Sequence, residues 1–304
     1  MSMIKAYEIT PNCFCKGVER AIKLILDLIE NPLSKKPFYM LGHLVHNEDV
    51  VSFFEDKINI IKDPNNYLDK IDQGTVIITA HGISPKTINQ INEKGLDIID
   101  TTCPNVIKIH NNIMKYLSLG YEVFIMGSEN HPEVKGYLGI SDRVHIFDSS
   151  LVKNHIINNK DQKVYITTQT TLIYDEVIKK CKDIKNDFVK NVVIEKKVCN
   201  ATELRQKGLI NNLNNFDMFI IVGDKLSNNC KSLYNIVKNN GKEVILVRNV
   251  NDLNNYHDLL NKFTSIGVTG GASTPKAILK EVIEEINMNP KVYISKLSKA
   301  DYIK

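Results

Sequence analysis

The chain has 304 residues, of which 43% are hydrophobic and 24% charged, a composition typical of a globular protein with one large domain or two to three lobes. Its net charge of +4 is too small and too dispersed for a nucleic-acid-binding protein, and no apolar run approaches the ~20 residues of a membrane-spanning helix. The six cysteines are too few for a disulfide scaffold of this length, so we expect reduced thiols.

Short apolar runs rich in Ile and Val predict strands along the chain. These runs are Phe38–Leu41, Thr75–Thr79, Tyr121–Met126, Lys163–Thr167, Phe216–Val222 and Thr264–Val268. Their continuous apolar character is typical of parallel strands that are covered on both faces. Amphipathic stretches predict helices at about Gly17–Leu28, Asn105–Leu119, Thr202–Leu213, Lys231–Lys238 and Pro275–Ile286. The alternation of the two patterns predicts an α/β fold.

A polar segment follows each predicted strand. These segments are residues 42–47, 80–82, 127–133, 168–171, 223–229 and 269–273. Ligands of open α/β sheets bind at the carboxyl ends of the strands, so segments rich in Gly, His, Ser, Thr and Asn at six such ends indicate a binding site. A single segment of this kind would indicate only a turn.

Three cysteines have a repeated context. Cys15, Cys103 and Cys199 are 88 and 96 residues apart, and each directly precedes a predicted helix. This spacing predicts three similar α/β lobes around a centre, each contributing one cysteine. The predicted boundaries of the lobes are 1–103, 104–199 and 200–304.

Thiolates at helix starts are suitable metal ligands, because the N-terminus of a helix favours negative charge. Three cysteines on a [4Fe–4S] cluster would leave one iron open to a substrate oxygen. Zinc is less favoured, because the chain lacks the paired Cys-x-x-Cys spacing of structural zinc sites. Spacing alone leaves a further alternative open, in which all six cysteines are ordinary core or surface thiols.

The histidines His46, His81 and His131 each lie in a polar segment after a predicted strand. A lone histidine is most often structural, but three at equivalent places favour binding of an anion or transfer of protons near neutral pH.

The position of Glu133 fits two roles. The residue complements the dipole of the helix that follows it, or it serves as a proton donor whose pKa is raised in a closed site. The hydroxyls of Thr170 and Thr171 would orient or relay such a proton, although β-propensity alone also explains both threonines.

Hydroxyl and amide side chains precede two of the predicted helices, at Ser227, Asn229 and Ser273. They predict an anion pocket, and helix capping is the alternative role for the same residue types. Neither a P-loop nor a dinucleotide fingerprint occurs in the sequence, so it does not predict ATP or NAD binding.

Ten short stretches, in order along nearly the whole chain, carry a resemblance to one family. They are 15–21 (CKGVERA), 45–47 (VHN), 80–84 (AHGIS), 102–104 (TCP), 131–134 (HPEV), 168–171 (TQTT), 199–202 (CNAT), 205–206 (RQ), 227–229 (SNN) and 271–273 (GAS). The combination resembles the LytB/IspH family of 4-hydroxy-3-methylbut-2-enyl diphosphate reductases.

The resemblance implies an α/β fold of three lobes with small, mostly parallel sheets in a pseudo-threefold arrangement around a central iron–sulfur cluster. It implies a [4Fe–4S] cluster, or [3Fe–4S] if the open iron is lost, held by Cys15, Cys103 and Cys199. It implies catalytic roles in proton transfer for Glu133, Thr170 and His131. The residues that it implies for substrate binding are His46, His81, His131, Thr170, Thr171, Ser227, Asn228, Asn229 and Ser273.

The implied reaction is the reductive removal of a hydroxyl group, which gives isopentenyl and dimethylallyl diphosphate in the last step of the non-mevalonate isoprenoid pathway. The implied electron donor is an acidic ferredoxin or flavodoxin, which a mildly basic surface fits. Two alternatives stay open: a non-catalytic iron–sulfur or zinc sensor, and an aconitase-like hydro-lyase. We expect a bacterial cytoplasm, or a plastid-type organelle after removal of a transit peptide.

The chain departs from the family pattern at three positions. Asn228 stands where many relatives have serine, and its amide can still donate to phosphate. Cys230 stands where a hydroxyl residue is more usual. Cys13 stands where relatives usually have glycine, and we expect it to be a reactive thiol in oxidising buffer.

Overall fold

The computed structural model describes residues 4–61, 68–152, 162–187 and 192–288. Its strands, numbered along the chain, are β1 (Lys5–Glu8), β2 (Phe38–Leu41), β3 (Asn59–Ile61), β4 (Thr75–Ile78), β5 (Asp97–Asp100), β6 (Tyr121–Met126), β7 (Val144–Ile146), β8 (Lys163–Thr168), β9 (Val192–Ile194), β10 (Met218–Val222), β11 (Glu243–Val247) and β12 (Ser265–Gly270). Its helices are Lys16–Glu30, Glu48–Phe54, Pro85–Glu93, Pro104–Ser118, Pro132–Leu138, Tyr174–Asp187, Asn200–Asn211, Asn228–Asn239, Val250–Leu253, His257–Leu260 and Lys276–Met288. All the predicted strands and helices are confirmed, with ends that agree within three residues.

The chain forms two compact units, of which the first comprises residues 1–22, 45–56 and 200–304. Its sheet is parallel and has the order β1-β12-β10-β11. Lys5 of β1 pairs with Ser265 of β12, so the first strand of the chain lies in the same sheet as the last three. The predicted boundaries place β1 in lobe 1, and the boundaries of the three lobes stay a prediction.

The second unit comprises residues 23–44 and 57–199. It contains two parallel sheets of four strands, with the orders β3-β2-β4-β5 and β7-β6-β8-β9. With the sheet of the first unit, this makes three small parallel sheets flanked by helices. The α/β class predicted from the sequence is therefore confirmed.

The three sheets share one topology. Numbered along the chain from β2, β6 and β10, with β1 counted after β12, the strands of every sheet follow the order 2-1-3-4. In this order the first and third strands are neighbours, and the chain continues from them toward opposite edges of the sheet. Such a switch point is where open α/β sheets bind ligands.

Strand β6 shows why the central strands read as continuous apolar runs. Val123 and Ile125 pack with the helix Pro104–Ser118, whereas Phe124 packs on the opposite face with the helix Tyr174–Asp187. Successive side chains of a strand point to opposite faces, so a sheet with a helix on each face buries every residue. Each such aliphatic or aromatic side chain contributes about 1.5–3 kcal/mol when fully buried.

Across the four ranges that the structure describes, no helix combines the length and the apolar character needed to cross a membrane.

Candidate active site

The segments that follow the first strand of each sheet have the same layout. A glycine comes directly after β2, β6 and β10, as Gly42, Gly127 and Gly223. Gly223 has a φ of +147°, and a Cβ at this position would lie 2.3 Å from the Sγ atom of Cys230. Only glycine fits there, because other residues would be strained and would also collide with the buried thiol.

Four residues beyond each glycine lies a hydrogen-bonding side chain at the start of a helix. These side chains are His46, His131 and Ser227. His131 and Ser227 are the N-caps of their helices, and His46 directly precedes the N-cap Asn47. The two predicted histidines and the predicted serine therefore occupy equivalent places in three copies of one motif.

The three predicted cluster cysteines also occupy equivalent places. Each follows the fourth strand of its sheet, and its backbone N–H donates to a carbonyl two residues beyond the third strand. The pairs are Cys103 with Ala80 at 3.0 Å, Cys199 with Thr170 at 2.9 Å, and Cys15 with Ala272 at 3.4 Å. In all three sheets, a backbone hydrogen bond thus joins the predicted cluster cysteine to the polar segment that follows the third strand.

Glu133 is a buried carboxyl group, with 2% of its surface exposed. Its Oε1 atom accepts two hydrogen bonds, from the backbone N–H of Thr170 at 2.7 Å and from the hydroxyl of Tyr137 at 2.9 Å. Its Oε2 atom lies 2.7 Å from the Oγ1 atom of Thr170. The predicted pair of Glu133 and Thr170 is therefore brought into direct contact.

Burial raises the pKa of Glu133 above its usual value of 4.5, and the hydrogen bonds from Thr170 and Tyr137 oppose this shift only in part. The same burial, together with the carboxyl group of Glu133, holds the pKa of Tyr137 well above 10. A carboxyl group with a raised pKa keeps its proton closer to neutral pH, which suits a general acid.

His131 reaches Glu133 through the backbone. Its Nδ1 atom accepts the N–H of Glu133 at 3.3 Å, so a neutral His131 carries its proton on Nε2. The ring of His81 meets that of His131 edge to face, with ring centroids 5.4 Å apart. The structure thus brings two of the three predicted histidines together beside the buried acid.

In the first unit, the predicted anion-binding residues surround the start of the helix Asn228–Asn239. The Oγ atom of Ser227 accepts from the backbone N–H of Cys230 at 3.4 Å and from the hydroxyl of Ser273 at 3.1 Å. The Oδ1 atom of Asn229 accepts from Thr202 at 2.9 Å, which orients the amide so that its NH₂ group is the free donor.

A family model described as LytB protein matches residues 7–287. The chain belongs to the LytB family. A 4-hydroxy-3-methylbut-2-enyl diphosphate reductase from Geobacillus sp. (strain WCH70) is 35% identical over 92% of this chain and 90% of its own. The solved structure of the E-1-hydroxy-2-methyl-but-2-enyl-4-diphosphate reductase from Plasmodium falciparum superposes with a TM-score of 0.85, at 30% identity, over 95% of this chain and 89% of its own.

A second solved structure, of an (E)-4-hydroxy-3-methyl-but-2-enyl diphosphate reductase described as the terminal enzyme of the non-mevalonate pathway, superposes with a TM-score of 0.66. It is 29% identical and covers 94% of this LytB protein and 100% of its own chain. The likeness therefore extends along the chain and is not confined to the motifs.

The thiols of this LytB protein fall into two groups that fit an iron–sulfur enzyme. None of the six cysteines forms a disulfide, and the three predicted cluster ligands are partly exposed. The three buried thiols are Cys13, Cys181 and Cys230. Partly exposed thiols at equivalent helix starts are accessible to iron, whereas the buried thiols serve as small apolar side chains.

The prediction that Cys13 is a reactive thiol is wrong. Only 5% of its surface is exposed, and burial raises its pKa to about 12, so the reactive thiolate form is scarce. Cys13 has a φ of +62°, a backbone conformation that favours glycine and accounts for the glycine of relatives at this position.

The structure adds residues that sequence reasoning missed. Arg205 is buried and donates to the backbone carbonyls of Cys13 at 2.5 Å and Phe14 at 3.3 Å, which fixes the segment before the predicted cluster ligand Cys15. Asn105 donates to the Sγ atom of Cys199 at 3.2 Å. The stretch Arg205-Gln206 carried part of the family resemblance, whereas no sequence signal pointed to Asn105.

The remaining predicted residues are placed as follows. Asn228 is the first residue of the helix that Ser227 caps, and it is half-buried. Thr171 is half-buried, and its Oγ1 atom accepts from the Nε2 atom of the buried Gln169 at 2.8 Å. His46 is half-buried in the first unit.

Proposed function

We propose that this LytB protein reduces 4-hydroxy-3-methylbut-2-enyl diphosphate to isopentenyl and dimethylallyl diphosphate, with loss of the hydroxyl group as water. This is the last step of the non-mevalonate isoprenoid pathway. The observation that carries the proposal is the buried acid Glu133, in contact with the hydroxyl of Thr170, in a chain that matches named reductases along more than nine-tenths of its length.

The cofactor that fits the donor set is a [4Fe–4S] cluster held by Cys15, Cys103 and Cys199, or [3Fe–4S] if the open iron is lost. These three thiols are partly exposed at equivalent helix starts. When bound, such a cluster supplies single electrons and a Lewis-acidic iron. The hydrogen bond from Asn105 to the sulfur of Cys199 stabilises negative charge on that ligand.

Glu133 is the general acid in this proposal. Its raised pKa favours the protonated form, and Thr170 passes the proton to the hydroxyl oxygen that leaves as water. His131, whose Nδ1 atom is occupied by the N–H of Glu133, presents its Nε2–H toward the same reacting end. Overall, two electrons and two protons are consumed for each water released.

The diphosphate is bound by hydroxyl, amide and imidazole donors in place of long basic side chains. Ser227 and Asn229 offer donors at the start of a 12-residue helix, whose N-terminus favours negative charge. Ser273 becomes a third donor when its hydroxyl turns from Ser227 to the diphosphate. The further residues of this proposed pocket are His46, His81, Thr171 and Asn228.

The electron donor that we propose is a ferredoxin or flavodoxin, because an acidic partner complements the net charge of +4. The compartments that we propose are a bacterial cytoplasm or the stroma of a plastid-type organelle. The sensor and hydro-lyase alternatives are not favoured, because the relatives that match along the chain are named reductases and because a sensor needs no buried acid.

The test is turnover of 4-hydroxy-3-methylbut-2-enyl diphosphate by the anaerobically reconstituted protein with a chemical reductant. We expect both C5 diphosphates from the wild type and loss of activity in Glu133→Gln with the iron content retained. Glu129→Gln is the matched control, because this exposed glutamate lies in the same segment. An intact cluster without turnover in the wild type would contradict the proposal.

A further inference from the structure

Tyr137 is a buried polar residue that neither the motifs nor the family resemblance singled out. It lies one helical turn after Glu133 on the helix Pro132–Leu138, and none of its surface is exposed. Its hydroxyl donates to the Oε1 atom of Glu133 at 2.9 Å and has no other hydrogen-bond partner among the residues that the structure describes.

The two oxygens of Glu133 have different surroundings. Oε1 accepts the N–H of Thr170 and the O–H of Tyr137, so both of its lone pairs are used. Among the described residues, Oε2 has one hydrogen-bond partner, the Oγ1 atom of Thr170 at 2.7 Å, and a hydroxyl can either donate or accept. A proton on Oε1 could be accepted only if the hydroxyl of Tyr137 turned round, and its own buried O–H would then have no acceptor among the described residues. A proton on Oε2 is accepted by the hydroxyl of Thr170 and leaves both donors at Oε1 in place.

We propose that Tyr137 is a positioning residue for proton transfer, which confines the acidic proton of Glu133 to Oε2, next to the hydroxyl of Thr170. The role in turnover rests on the proposed reductase function. The protonated acid donates from Oε2 to Thr170, whose own hydroxyl proton points away from Glu133.

Proton transfer then follows one path. The Oε2–H bond of Glu133 breaks as a new bond to the Oγ1 atom of Thr170 forms, and the original hydroxyl proton of Thr170 goes to the leaving oxygen. Glu133 ends as a carboxylate with three donors: two at Oε1 and, at Oε2, the hydroxyl of Thr170, which now carries the proton that Glu133 gave up. Tyr137 donates to Oε1 throughout, so only the hydroxyl of Thr170 has to rotate before Glu133 takes up its next proton.

Among the described residues, no titratable side chain other than Tyr137 hydrogen-bonds to the carboxyl group of Glu133. On the same helix, His131 accepts the backbone N–H of Glu133 through Nδ1. The half-buried ring of His110 packs edge to face on Tyr137, and burial lowers its pKa to about 4, which keeps it neutral. The remaining titratable neighbours of Tyr137 are Cys103 and Tyr165.

The direct test is infrared spectroscopy of the cluster-free protein, with the carboxyl C=O band of Glu133 assigned by its loss in Glu133→Gln. With the proton on Oε2, the C=O bond is the one to Oε1, and its two hydrogen bonds lower its frequency. We expect Tyr137→Phe to shift the band to higher frequency and to move its titration to higher pH. In the reconstituted enzyme, kcat should fall roughly five- to tenfold with an unchanged KM, the effect of about one hydrogen bond.

Tyr165→Phe is the matched control, because it also removes a buried tyrosine hydroxyl, which donates to Glu195 at 2.8 Å and not to Glu133. A Glu133 band that behaves alike in both variants overturns the proposal. If Tyr137→Phe does not fold, uniform 3-fluorotyrosine labelling replaces it. The stronger phenol donor must then lower the band frequency, and an unmoved band contradicts the role of Tyr137.

The infrared result does not depend on turnover, so the two proposals fail separately. A shifted band in a wild-type protein that makes no C5 diphosphate would refute the reductase function and retain the position of the proton. Turnover by the wild type, with a band that does not move in Tyr137→Phe, would retain the reductase function and refute the proposed position of the proton.

Discussion

Replacing Thr170 by valine removes the hydroxyl between Glu133 and the proposed site of reaction. Valine has nearly the shape of threonine, and the backbone N–H of residue 170 still donates to Oε1, so the carboxyl group loses only its 2.7 Å contact at Oε2. Leaving one buried polar atom without a partner costs about 1–3 kcal/mol. Loss of a general-acid path lowers kcat by roughly 10²- to 10⁴-fold.

The assay compares Thr170→Val with Thr170→Ser, which keeps the hydroxyl. We expect urea unfolding of the cluster-free protein to show the loss of stability in the valine variant and little change in the serine variant. Turnover, normalised to iron content, should collapse only with valine. If the valine variant unfolds more easily but retains its kcat within threefold, Thr170 is a structural partner of Glu133 and the relay is refuted.

Three further predictions concern charge and thiols. Because burial raises the pKa of Glu133, this group stabilises the fold below pH 4.5 and loses that contribution as the pH rises through its folded-state pKa. The unfolding free energy of the wild type, measured from pH 4 to 9, should therefore decline relative to that of Glu133→Gln. Parallel curves for the two proteins would contradict the raised pKa. Asn105→Leu removes a hydrogen-bond donor to the sulfur of Cys199 and should lower the midpoint potential of the reconstituted cluster by roughly 40 mV, the equivalent of about 1 kcal/mol for one electron. A redox titration followed by electron paramagnetic resonance measures this shift. An unchanged potential would show that the hydrogen bond does not stabilise the reduced cluster. Alkylation of the native cluster-free protein with iodoacetamide, mapped by mass spectrometry, should modify the three partly exposed cysteines and spare the buried ones, and early labelling of Cys13 would contradict its pKa of about 12.

The strands that the sequence predicted are the six that lie inside the sheets, and the six that it missed are the edges. Every central strand is flanked by two others and is mostly buried, so its sequence is largely apolar. Most edge strands carry a weaker pattern: β3, β7 and β9 have three residues each, and three of the four residues of β1 are exposed. The edge strand β11 is the exception, since it has three buried apolar residues and was still missed. Charged and short edges also hinder pairing with other chains, which makes a weak pattern a property of edges in general.

The sequence predicts the residue types of the proposed site but not the contacts that support them. Polar residues after buried strands predict a ligand, which is why Glu133 and Thr170 were named together. Tyr137, the partner of Glu133, follows it by four residues on one helix, a spacing that allows contact. Aromatic residues that only pack in the core have the same spacing, so the sequence did not single out Tyr137. The contact of Asn105 with Cys199 joins positions 94 residues apart, so only the folded chain reveals it.

The pairing of β1 with β12 also sets an order of events during synthesis. Lys5 leaves the ribosome 260 residues before its partner Ser265, a delay of roughly 13–52 s at 5–20 residues per second. The segment that carries Cys15 can find its folded position only after that delay, although it is made first. If the three cysteines hold a cluster as proposed, iron can bind to all of them only after β12 has been made. A nascent chain that stops before β12 would hold Cys103 and Cys199 in place without the folded segment of Cys15.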